Sequence, residues 1–357
     1  DRDSPAADVS AMDGYAIRMD DLKPGVSVAI SGESKAGQSA PAMVSGQVVR
    51  IFTGAMVPSE CDAIVKREDT EESKTSIRFL SPALDGTRVG SHIRRQGENA
   101  KAGDAVLSSG TEITPAVATA LANFGQTRPA VFDRLKVAVL TTGDEVVDPT
   151  TESLEPWQLR NSNRAAVVAL LSNNPFLKTE LVRHVADDPE SLRSLLSQAV
   201  ERCDAVVMTG GVSKGDYDYV PDTIASVGGT TVFHGLPIRP GKPILAAATD
   251  NGKMILGLPG NPVSATINSH RFLLPLLSRM AGKVDWQPRP SIVTLSEPPT
   301  RPIPLHTMVL VRKTETGVVR LIPSKGSGDL VALALSDGYV SINPNETSVG
   351  PWPMYDW

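Results

Sequence analysis

The chain has 357 residues, 41% of them hydrophobic and 21% charged, a composition typical of a globular protein with two to four domains. Its 35 Lys and Arg residues against 40 Asp and Glu give a formal net charge of -5, which argues against nonspecific nucleic-acid binding. No apolar run reaches membrane-spanning length, and the two cysteines, Cys61 and Cys203, form no metal-binding pattern. We therefore expect a reduced, cytoplasmic protein that binds neither nucleic acid nor membrane. Because the chain begins with Asp1 and not with Met, we expect further residues to precede it.

The first third of the chain is dominated by short strand patterns. Between about residues 24 and 80, segments such as VSVAIS, QVVRIF and TSIRFL are separated by Gly, Pro, Ser and acidic clusters. A loop region rich in Gly and Arg follows at 81–103. The segment TPAVATALANFG (114–125) then predicts a helix, with Thr114 as its N-cap, Pro115 at its first position and Gly125 at its end.

Between residues 135 and 282, strand and helix patterns alternate. LKVAVLTT (135–142) predicts a strand and NRAAVVALLSN a helix, and the alternation continues through LVRHV, PESLRSLLSQAVERC, DAVVM, TVFHG, ILAAA and MILGL, with short helices expected between the later strands. The strands are apolar throughout, as in a parallel sheet that is covered on both faces. From residue 288 onward strand patterns return, which predicts a small β-barrel or sandwich.

Polar turns follow four strands of the predicted parallel sheet. They are TTGDE (141–145), VADDPE (185–190), TGGVSKGDYD (209–218) and GLPGNPVSA (257–265), and RPGKP (239–243) adds two cations on a turn stiffened by proline. Ligands of such sheets bind at the carboxyl ends of the strands. Carboxylates suit a hard cation, whereas backbone N–H groups and cationic side chains suit phosphate. The pattern therefore predicts metal-assisted chemistry on a phosphorylated ligand.

Each of these turns also has a purely structural interpretation. Asp188 before Pro189 and Asn261 before Pro262 are good helix N-caps. A glycine turn can be present simply because its backbone needs a left-handed conformation. His184 and His234 are expected to be packed or hydrogen-bonded at the edge of the core. We favour the functional interpretation because acidic, glycine-rich and basic turns all fall at the same edge of one sheet.

Seven motifs occur in the order and spacing of one protein family. SAMDGYA (10–16), TGAMVP (53–58), HIRRQGE (92–98), TTGDE, TGGVSKGDYD, RPGKP and LPGNPVSA (258–265) closely resemble the molybdopterin molybdenumtransferase family, which includes the MoeA proteins and the gephyrin E domain. The resemblance continues more weakly through KGSGDL (325–330) to the end of the chain. It implies a transferase that forms a homodimer and inserts molybdate into adenylylated molybdopterin with Mg²⁺, releasing AMP and molybdenum cofactor. It also implies molybdopterin adenylyltransferase as an upstream partner.

The resemblance and the patterns together predict a multidomain protein with α/β and β parts. A doubly wound, mostly parallel sheet in a molybdopterin-binding-like domain (134–283) is flanked by a β-rich domain (10–99) and a small C-terminal β-barrel (284–357). Residues 1–9 and 100–133 are expected to be the remnant of a helical or linker domain whose N-terminal part is missing.

The resemblance also assigns roles to single residues. The predicted catalytic carboxylates are Asp13, Glu145, Asp187 and Asp218, of which Asp187 and Asp218 are the predicted Mg²⁺ ligands. The predicted substrate-binding residues are Thr53, Arg94, Gly210, Gly211, Ser213, Arg239, Lys242, Pro243, Pro259, Gly260, Asn261, Pro262, Ser264 and Ser327. The dimer is expected to bring Asp13, Thr53 and Arg94 to the cleft of the other subunit.

This chain departs from the family pattern at several positions. Arg239 and Lys214 stand where Lys and Val are usual, Asn99 replaces a carboxylate, and the Arg common near Thr307 is absent. Two other functions stay open. One is an adenylyltransferase-like enzyme that shares only the 135–282 fold, against which the β-rich flanks argue. The other is a non-catalytic or divergent paralogue that binds molybdopterin or acts as a scaffold, against which the intact carboxylates argue.

Overall fold

The computed structural model describes residues 2–212, 219–299 and 302–357. The chain forms two compact units: unit 1 comprises Asp1–Ser108 and Ile113–Pro129, and unit 2 comprises Ser109–Glu112 and Ala130–Trp357. Within the described ranges, no helix has the length and hydrophobicity that a membrane span requires.

Unit 1 is built on a six-stranded mixed sheet. Its strands and helices are β1 (Val9–Ser10), β2 (Gly14–Ile17), β3 (Ser27–Ser34), β4 (Gln47–Ile51), β5 (Ala63–Lys66), β6 (Thr70–Glu72), β7 (Ser76–Phe79), α1 (Ser81–Gly86), β8 (Ile93–Arg94) and α2 (Pro115–Asn123). The strand order is β5-β2-β4-β3-β7-β6, with β3 and β4 parallel and the other neighbours antiparallel. Tyr15, Ile17 and Val48 are fully buried in its core. Strands β1 and β8 form a separate antiparallel pair.

Helix α2 begins as its sequence predicts. The Thr114 hydroxyl accepts a hydrogen bond from Val117 N at 3.3 Å, and Pro115 occupies the first turn, where no N–H is needed. Gly125 follows the helix with a φ of 74°, a left-handed conformation that glycine adopts without strain. The cap and the stop signal are local, which is why the sequence locates this helix well.

The first part of unit 2 contains a second six-stranded sheet. The elements are β9 (Leu135–Thr142), β10 (Val146–Val147), β11 (Leu159–Arg160), α3 (Ser162–Ser172), β12 (Leu177–Val185), α4 (Pro189–Arg202), β13 (Ala205–Thr209), α5 (Val220–Ser226), β14 (Gly229–His234), β15 (Ile238–Arg239), β16 (Leu245–Thr249) and β17 (Met254–Leu258). The sheet order is β12-β9-β13-β17-β16-β14, and the first four strands are parallel. Strands β10 and β11 form a short parallel pair outside it.

The prediction of a mostly parallel sheet is confirmed. Of the short helices expected between its later strands, α5 lies between β13 and β14 as predicted, but the helices expected between β14, β16 and β17 are wrong. Strand β16 runs antiparallel to both β14 and β17, and no helix separates these three strands. The turn at Asp250–Asn251–Gly252 sends the chain straight back, with Gly252 N bonded to Thr249 O at 2.9 Å and Gly252 at a φ of 78°. A tight turn of this kind joins antiparallel strands only.

Helices cover both faces of this sheet. On one face, Val139 and Val207 pack with Val167 of α3. On the other face, Leu140 and Met208 pack with Leu196 of α4. Because both faces are covered, the strand sequences are apolar throughout. The doubly wound architecture predicted from the sequence is therefore confirmed.

The rest of unit 2 includes a closed five-stranded barrel. The elements are α6 (Pro262–Asn268), a π-helical turn (Ser269–Leu273), α7 (Leu274–Met280), β18 (Ser291–Leu295), β19 (His306–Glu315), β20 (Val318–Leu321), α8 (Leu330–Ala334), β21 (Gly338–Ile342) and β22 (Trp352–Asp356). The barrel order is β19-β20-β18-β22-β21, and β21 pairs back onto β19. This closure confirms the predicted C-terminal barrel. Outside the closed ring, strand β15 pairs in parallel with the start of β19.

Candidate functional site

The carboxyl ends of β9, β13 and β17 open into a cleft of about 920 Å³, a volume within the range of small-molecule sites. The turns after these strands line it, as the topology of the sheet predicts. The predicted site residues among its lining are Glu145, Asp187, Gly210, Gly211, Pro243, Pro259, Gly260, Asn261 and Pro262.

Two glycine turns form one wall of the cleft. Gly210 N lies 3.3 Å from Leu258 O, so the turn after β13 is bonded to the end of β17. A Cβ on Gly210 would lie 2.6 Å from Thr142 Oγ1, and one on Gly260 would lie 3.7 Å from the Cα of Gly210. The backbones thus meet without side chains between them, and Gly210 and Gly211 adopt φ values of 94° and 62°. Such a concave backbone surface suits a phosphate.

The start of α6 forms the next part of the cleft. Asn261 occupies the N-cap position, as predicted, but its side chain makes no capping hydrogen bond. Val263 N instead donates to Ser327 O at 3.0 Å, so a backbone carbonyl of the C-terminal region does the work of the cap. The Asn261 side chain is left exposed at the cleft. Ser264 is buried in the first turn and, like Ser327, does not line the cleft.

Three carboxyl groups crowd the acidic side of the cleft. Asp187 N donates to Asp144 Oδ1 at 3.1 Å, and Glu145 follows Asp144 in the turn after β9. Burial raises the pKa of Asp187, and the negative charges of Asp144 and Glu145 raise it further. A divalent cation would relieve this repulsion, and carboxylate oxygens are what Mg²⁺ prefers. The chemistry of these groups therefore fits Mg²⁺.

The described residues alone do not form a complete metal site. Among them, no group of three or more His, Cys, Asp or Glu side chains is arranged to hold a metal ion. The second predicted ligand, Asp218, lies outside the described residues, and so does Ser213.

Asp188, next to Asp187, does a different job. Its Oδ2 accepts a hydrogen bond from Ser191 N at 2.8 Å and caps α4, as predicted. The hydrogen bonds from the Ser191 side chain and backbone lower the pKa of Asp188. The pKa values of two adjacent carboxyl groups are therefore shifted in opposite directions: that of Asp187 in the cleft is raised, and that of Asp188 in the helix cap is lowered.

The basic turn RPGKP lies beside the cleft, and of its residues only Pro243 lines it. Arg239 and Lys242 are exposed, and neither forms an ion pair with a carboxylate in the described part of the chain. Gly241, at a φ of 99°, packs directly against Asn268, which is fully buried and whose amide makes no hydrogen bond to a described residue. This close contact with Asn268 holds the backbone of the turn in place.

Arg239 lies beside Thr307, the position near which the family usually has an arginine. In the β15–β19 pairing, the register partner of Arg239 is Thr307. The arginine that the resemblance leads one to expect near Thr307 would therefore lie beside Arg239. In this chain Thr307 stands there instead, and Arg239 supplies the positive charge at this pair.

The predicted residues in unit 1 are all hydrogen-bonded within that unit. Asp13 Oδ1 accepts hydrogen bonds from the Thr53 N–H and the Thr53 hydroxyl, both at 2.8 Å, and these bonds lower the pKa of Asp13. Arg94 donates from Nε to Glu98 Oε1 at 2.6 Å and from Nη2 to Asn99 Oδ1 at 3.0 Å. The structure thus joins Asp13 to Thr53 and occupies Arg94 with Glu98, all within unit 1.

Two asparagines of the cleft were not predicted. Asn161 Nδ2 donates to Thr141 Oγ1 at 2.8 Å, and Asn161 Oδ1 accepts from Arg164 N at the start of α3. Asn163 Nδ2 donates to Gly260 O at 2.7 Å and so holds the glycine turn after β17. The sequence signal was available, because RNSN (160–163) directly precedes an apolar helical run and asparagine favours N-caps.

The two histidines behave as expected. His184 Nδ1 lies 3.0 Å from Thr141 Oγ1, and His234 Nε2 lies 2.8 Å from Val212 O. Both rings are therefore hydrogen-bonded at the edge of the sheet.

Comparison with known proteins covers both units. Residues 1–125 match the family described as MoeA N-terminal region (domain I and II), and residues 138–279 match the probable molybdopterin binding domain. The molybdopterin molybdenumtransferase of Synechococcus elongatus is 33% identical over 343 residues, which cover 94% of this chain and 83% of that protein. The one from Haemophilus influenzae is 34% identical over 289 residues, which cover 80% and 69%.

A solved structure agrees with these matches. The molybdopterin biosynthesis moeA protein from Pyrococcus horikoshii OT3 superposes with a TM-score of 0.81 at 25% identity and covers 99% of this chain and 87% of its own.

Proposed function

Because this chain belongs to the molybdopterin molybdenumtransferase family, we propose that it inserts molybdate into adenylylated molybdopterin with Mg²⁺ and releases AMP and molybdenum cofactor. The observation that carries the proposal is the cleft in unit 2, where a glycine cradle and a crowded carboxylate face the same space. A phosphorylated substrate and a hard cation need these two surfaces together.

The residues of the cleft divide the work between them. The backbone of the turn at Gly210 and Gly211 holds the phosphate of the substrate, with the Gly211 N–H as donor because the Gly210 N–H already donates to Leu258 O, and Asn163 keeps the facing glycine turn in place. Asp187, with Glu145 beside it and Asp218 from the adjoining segment, holds Mg²⁺, which neutralises phosphate charge when it is bound. Arg239 and Lys242, exposed on the turn beside the cleft, bind the molybdate oxyanion.

We also propose that the chain acts as a homodimer. Asp13, Thr53 and Arg94 are exposed polar residues of unit 1, and their side chains are held in fixed geometry by short hydrogen bonds. In the dimer these residues serve the cleft of the partner. Light scattering at micromolar concentration should give the mass of two chains, and a monomer would contradict the proposal.

The reaction takes place in the cytoplasm, after a molybdopterin adenylyltransferase has supplied the substrate.

Release of AMP from adenylylated molybdopterin, with added Mg²⁺ and molybdate, tests the function. Asp187→Asn keeps the size of the side chain but removes its charge, and it should abolish release. It should not lower the melting temperature, because a raised pKa means that the charged carboxylate destabilises the folded state above that pKa. Near neutral pH, the free energy of unfolding of Asp187→Asn should instead be higher than that of the wild type.

Asp188→Asn is the matched control. Asparagine caps helices as well as aspartate does, so this variant should keep both its melting temperature and its rate of AMP release. Wild-type release by Asp187→Asn would show that Asp187 only shapes the turn. Binding without any release by the unmodified protein would favour the non-catalytic scaffold instead.

A further inference from the structure

Trp157 is a large aromatic side chain that the fold leaves open to solvent. It is 68% exposed, and Leu159 nearby is 60% exposed. Each of the other three tryptophans has a partner: Trp286 stacks against Arg279, Trp352 donates to Ser348 O, and Trp357 donates to Ser336 Oγ. Trp157 has no hydrogen bond or ring contact with a residue in the described ranges. A single exposed apolar side chain is not unusual, so its position relative to the cleft decides whether it can bind a ligand.

The backbone that carries Trp157 is held firmly. Gln158 N donates to Glu155 O at 3.0 Å and Glu155 N donates to Gln158 Oε1 at 3.1 Å, which closes a turn around Trp157. Just beyond the turn, Leu159 N donates to Glu145 O at 2.7 Å, and Arg160 Nη2 donates to Thr151 O at 2.7 Å. The backbone at Trp157 is therefore already ordered, so binding a ligand there does not add the entropic cost of ordering the loop.

Trp157 does not itself line the cleft, but residues close to it in the chain do. Leu154, Gln158 and Leu159 line it together with Val146, and they form an apolar part of the same space that the glycine turns line. One cleft therefore combines an apolar part with a phosphate cradle. A ligand that links an anionic group to a flat ring would use both surfaces at once.

We propose that the indole of Trp157 stacks on a planar heteroaromatic ring of the nucleotide-linked substrate at the rim of this cleft. The inference rests on the proposed function, whose substrate carries two such rings, the adenine and the pterin. Stacking on an aromatic side chain fixes the ring while the glycine turns hold the phosphate. Trp157 thus supplies affinity and orientation and takes no part in bond making.

Fluorescence of the full chain separates the two rings. Tryptophan emission is followed during titration with AMP and, in a second arm, with 6-hydroxymethylpterin. The ring that stacks should quench the emission of the wild type and of Trp286→Phe but not that of Trp157→Phe. Trp286 is a suitable control because neither it nor its neighbours in the chain line the cleft, and because it has its own partner. The arm that shows the quench identifies the ring.

Calorimetry gives the size of the effect. Trp157→Ala should raise the Kd of the stacking ligand by about 5- to 150-fold, the usual effect of removing one base–aromatic stack. Trp157→Phe should retain most of the affinity, since a smaller ring still stacks. The mass of Trp157→Ala by light scattering should equal that of the wild type.

Three results would overturn the proposal. Equal affinity of Trp157→Ala and wild type for both ligands would show that the indole is not a stacking residue, and the proposed function would stand. A change of mass in Trp157→Ala would assign Trp157 to a contact between chains. A wild type that binds neither AMP nor the pterin would overturn the proposed function together with the stacking.

Discussion

The polar residues of unit 1 and those of the cleft in unit 2 differ in how their charges are satisfied. In unit 1, Asp13 accepts two hydrogen bonds from Thr53, and Arg94 is paired with Glu98 at 2.6 Å. In unit 2, Arg239 and Lys242 lie on the turn beside the cleft and have no carboxylate partner among the described residues, and in the cleft Asp187 is crowded by Asp144 and Glu145. Unit 1 therefore holds its groups in place, whereas the cleft keeps unbalanced charge.

Unbalanced charge is costly in a folded protein unless a ligand relieves it. The pKa of Asp187 is raised because its charge is crowded by other carboxylates, whereas the pKa of Asp13 is lowered because its charge is hydrogen-bonded. The contrast indicates that the cleft is shaped for ligands that bring both a cation and anionic groups, and that the residues of unit 1 are positioned before any ligand arrives.

The largest expected effect comes from removing the free cations. Arg239→Ala or Lys242→Ala should each weaken molybdate or phosphate binding by roughly 1.5 to 3 kcal/mol, because each loses a hydrogen bond to a charged group. This equals about a 13- to 160-fold increase in the Kd measured by calorimetry. Arg94→Ala should have a smaller effect, since Glu98 already neutralises that guanidinium.

Lys253→Ala is the matched control for this series. Lys253 already has Asp204 and Cys203 O as partners and does not line the cleft, so its loss should leave anion affinity unchanged. Anion binding that survives in the Arg239→Ala, Lys242→Ala double variant would show that the turn is only surface. An equal loss in Arg94→Ala would remove the distinction between the two units.

The second prediction concerns the glycine cradle and uses urea unfolding. Gly210→Ala should lower the free energy of unfolding by about 1 to 3 kcal/mol, because a Cβ there is strained at a φ of 94° and would clash with Thr142. Gly260→Ala should leave this free energy almost unchanged, since its nearest neighbour would lie 3.7 Å away. Equal stability of both variants would mean that the backbones do not meet as closely as described.

The local features and the overall architecture were predictable from the sequence, whereas individual contacts between distant segments were not. The caps of α2 and α4 were predicted because Thr114 and Asp188 bond to N–H groups three residues away. The antiparallel direction of β16 was missed because it depends on pairing partners outside the segment. Asn261 is not a side-chain cap because Ser327, far along the chain, places its carbonyl at the same helix end.

The candidate site follows the same rule. Topology alone placed the acidic and glycine-rich turns at one sheet edge, since parallel strands share their carboxyl ends. That Arg239 pairs with Thr307 and that Asn163 holds Gly260 depends on contacts between distant segments, which no periodicity of the sequence contains.

The central claim is that the cleft in unit 2 holds the nucleotide end of the substrate, and a crystal soaked with AMP in the presence of Mg²⁺ tests it most directly. We expect density for the phosphate of AMP against the backbone of Gly210 and Gly211, facing Gly260, with a cation on the side of Asp187. Density for AMP at another surface, or a cleft without nucleotide in crystals that bind AMP elsewhere, would contradict it.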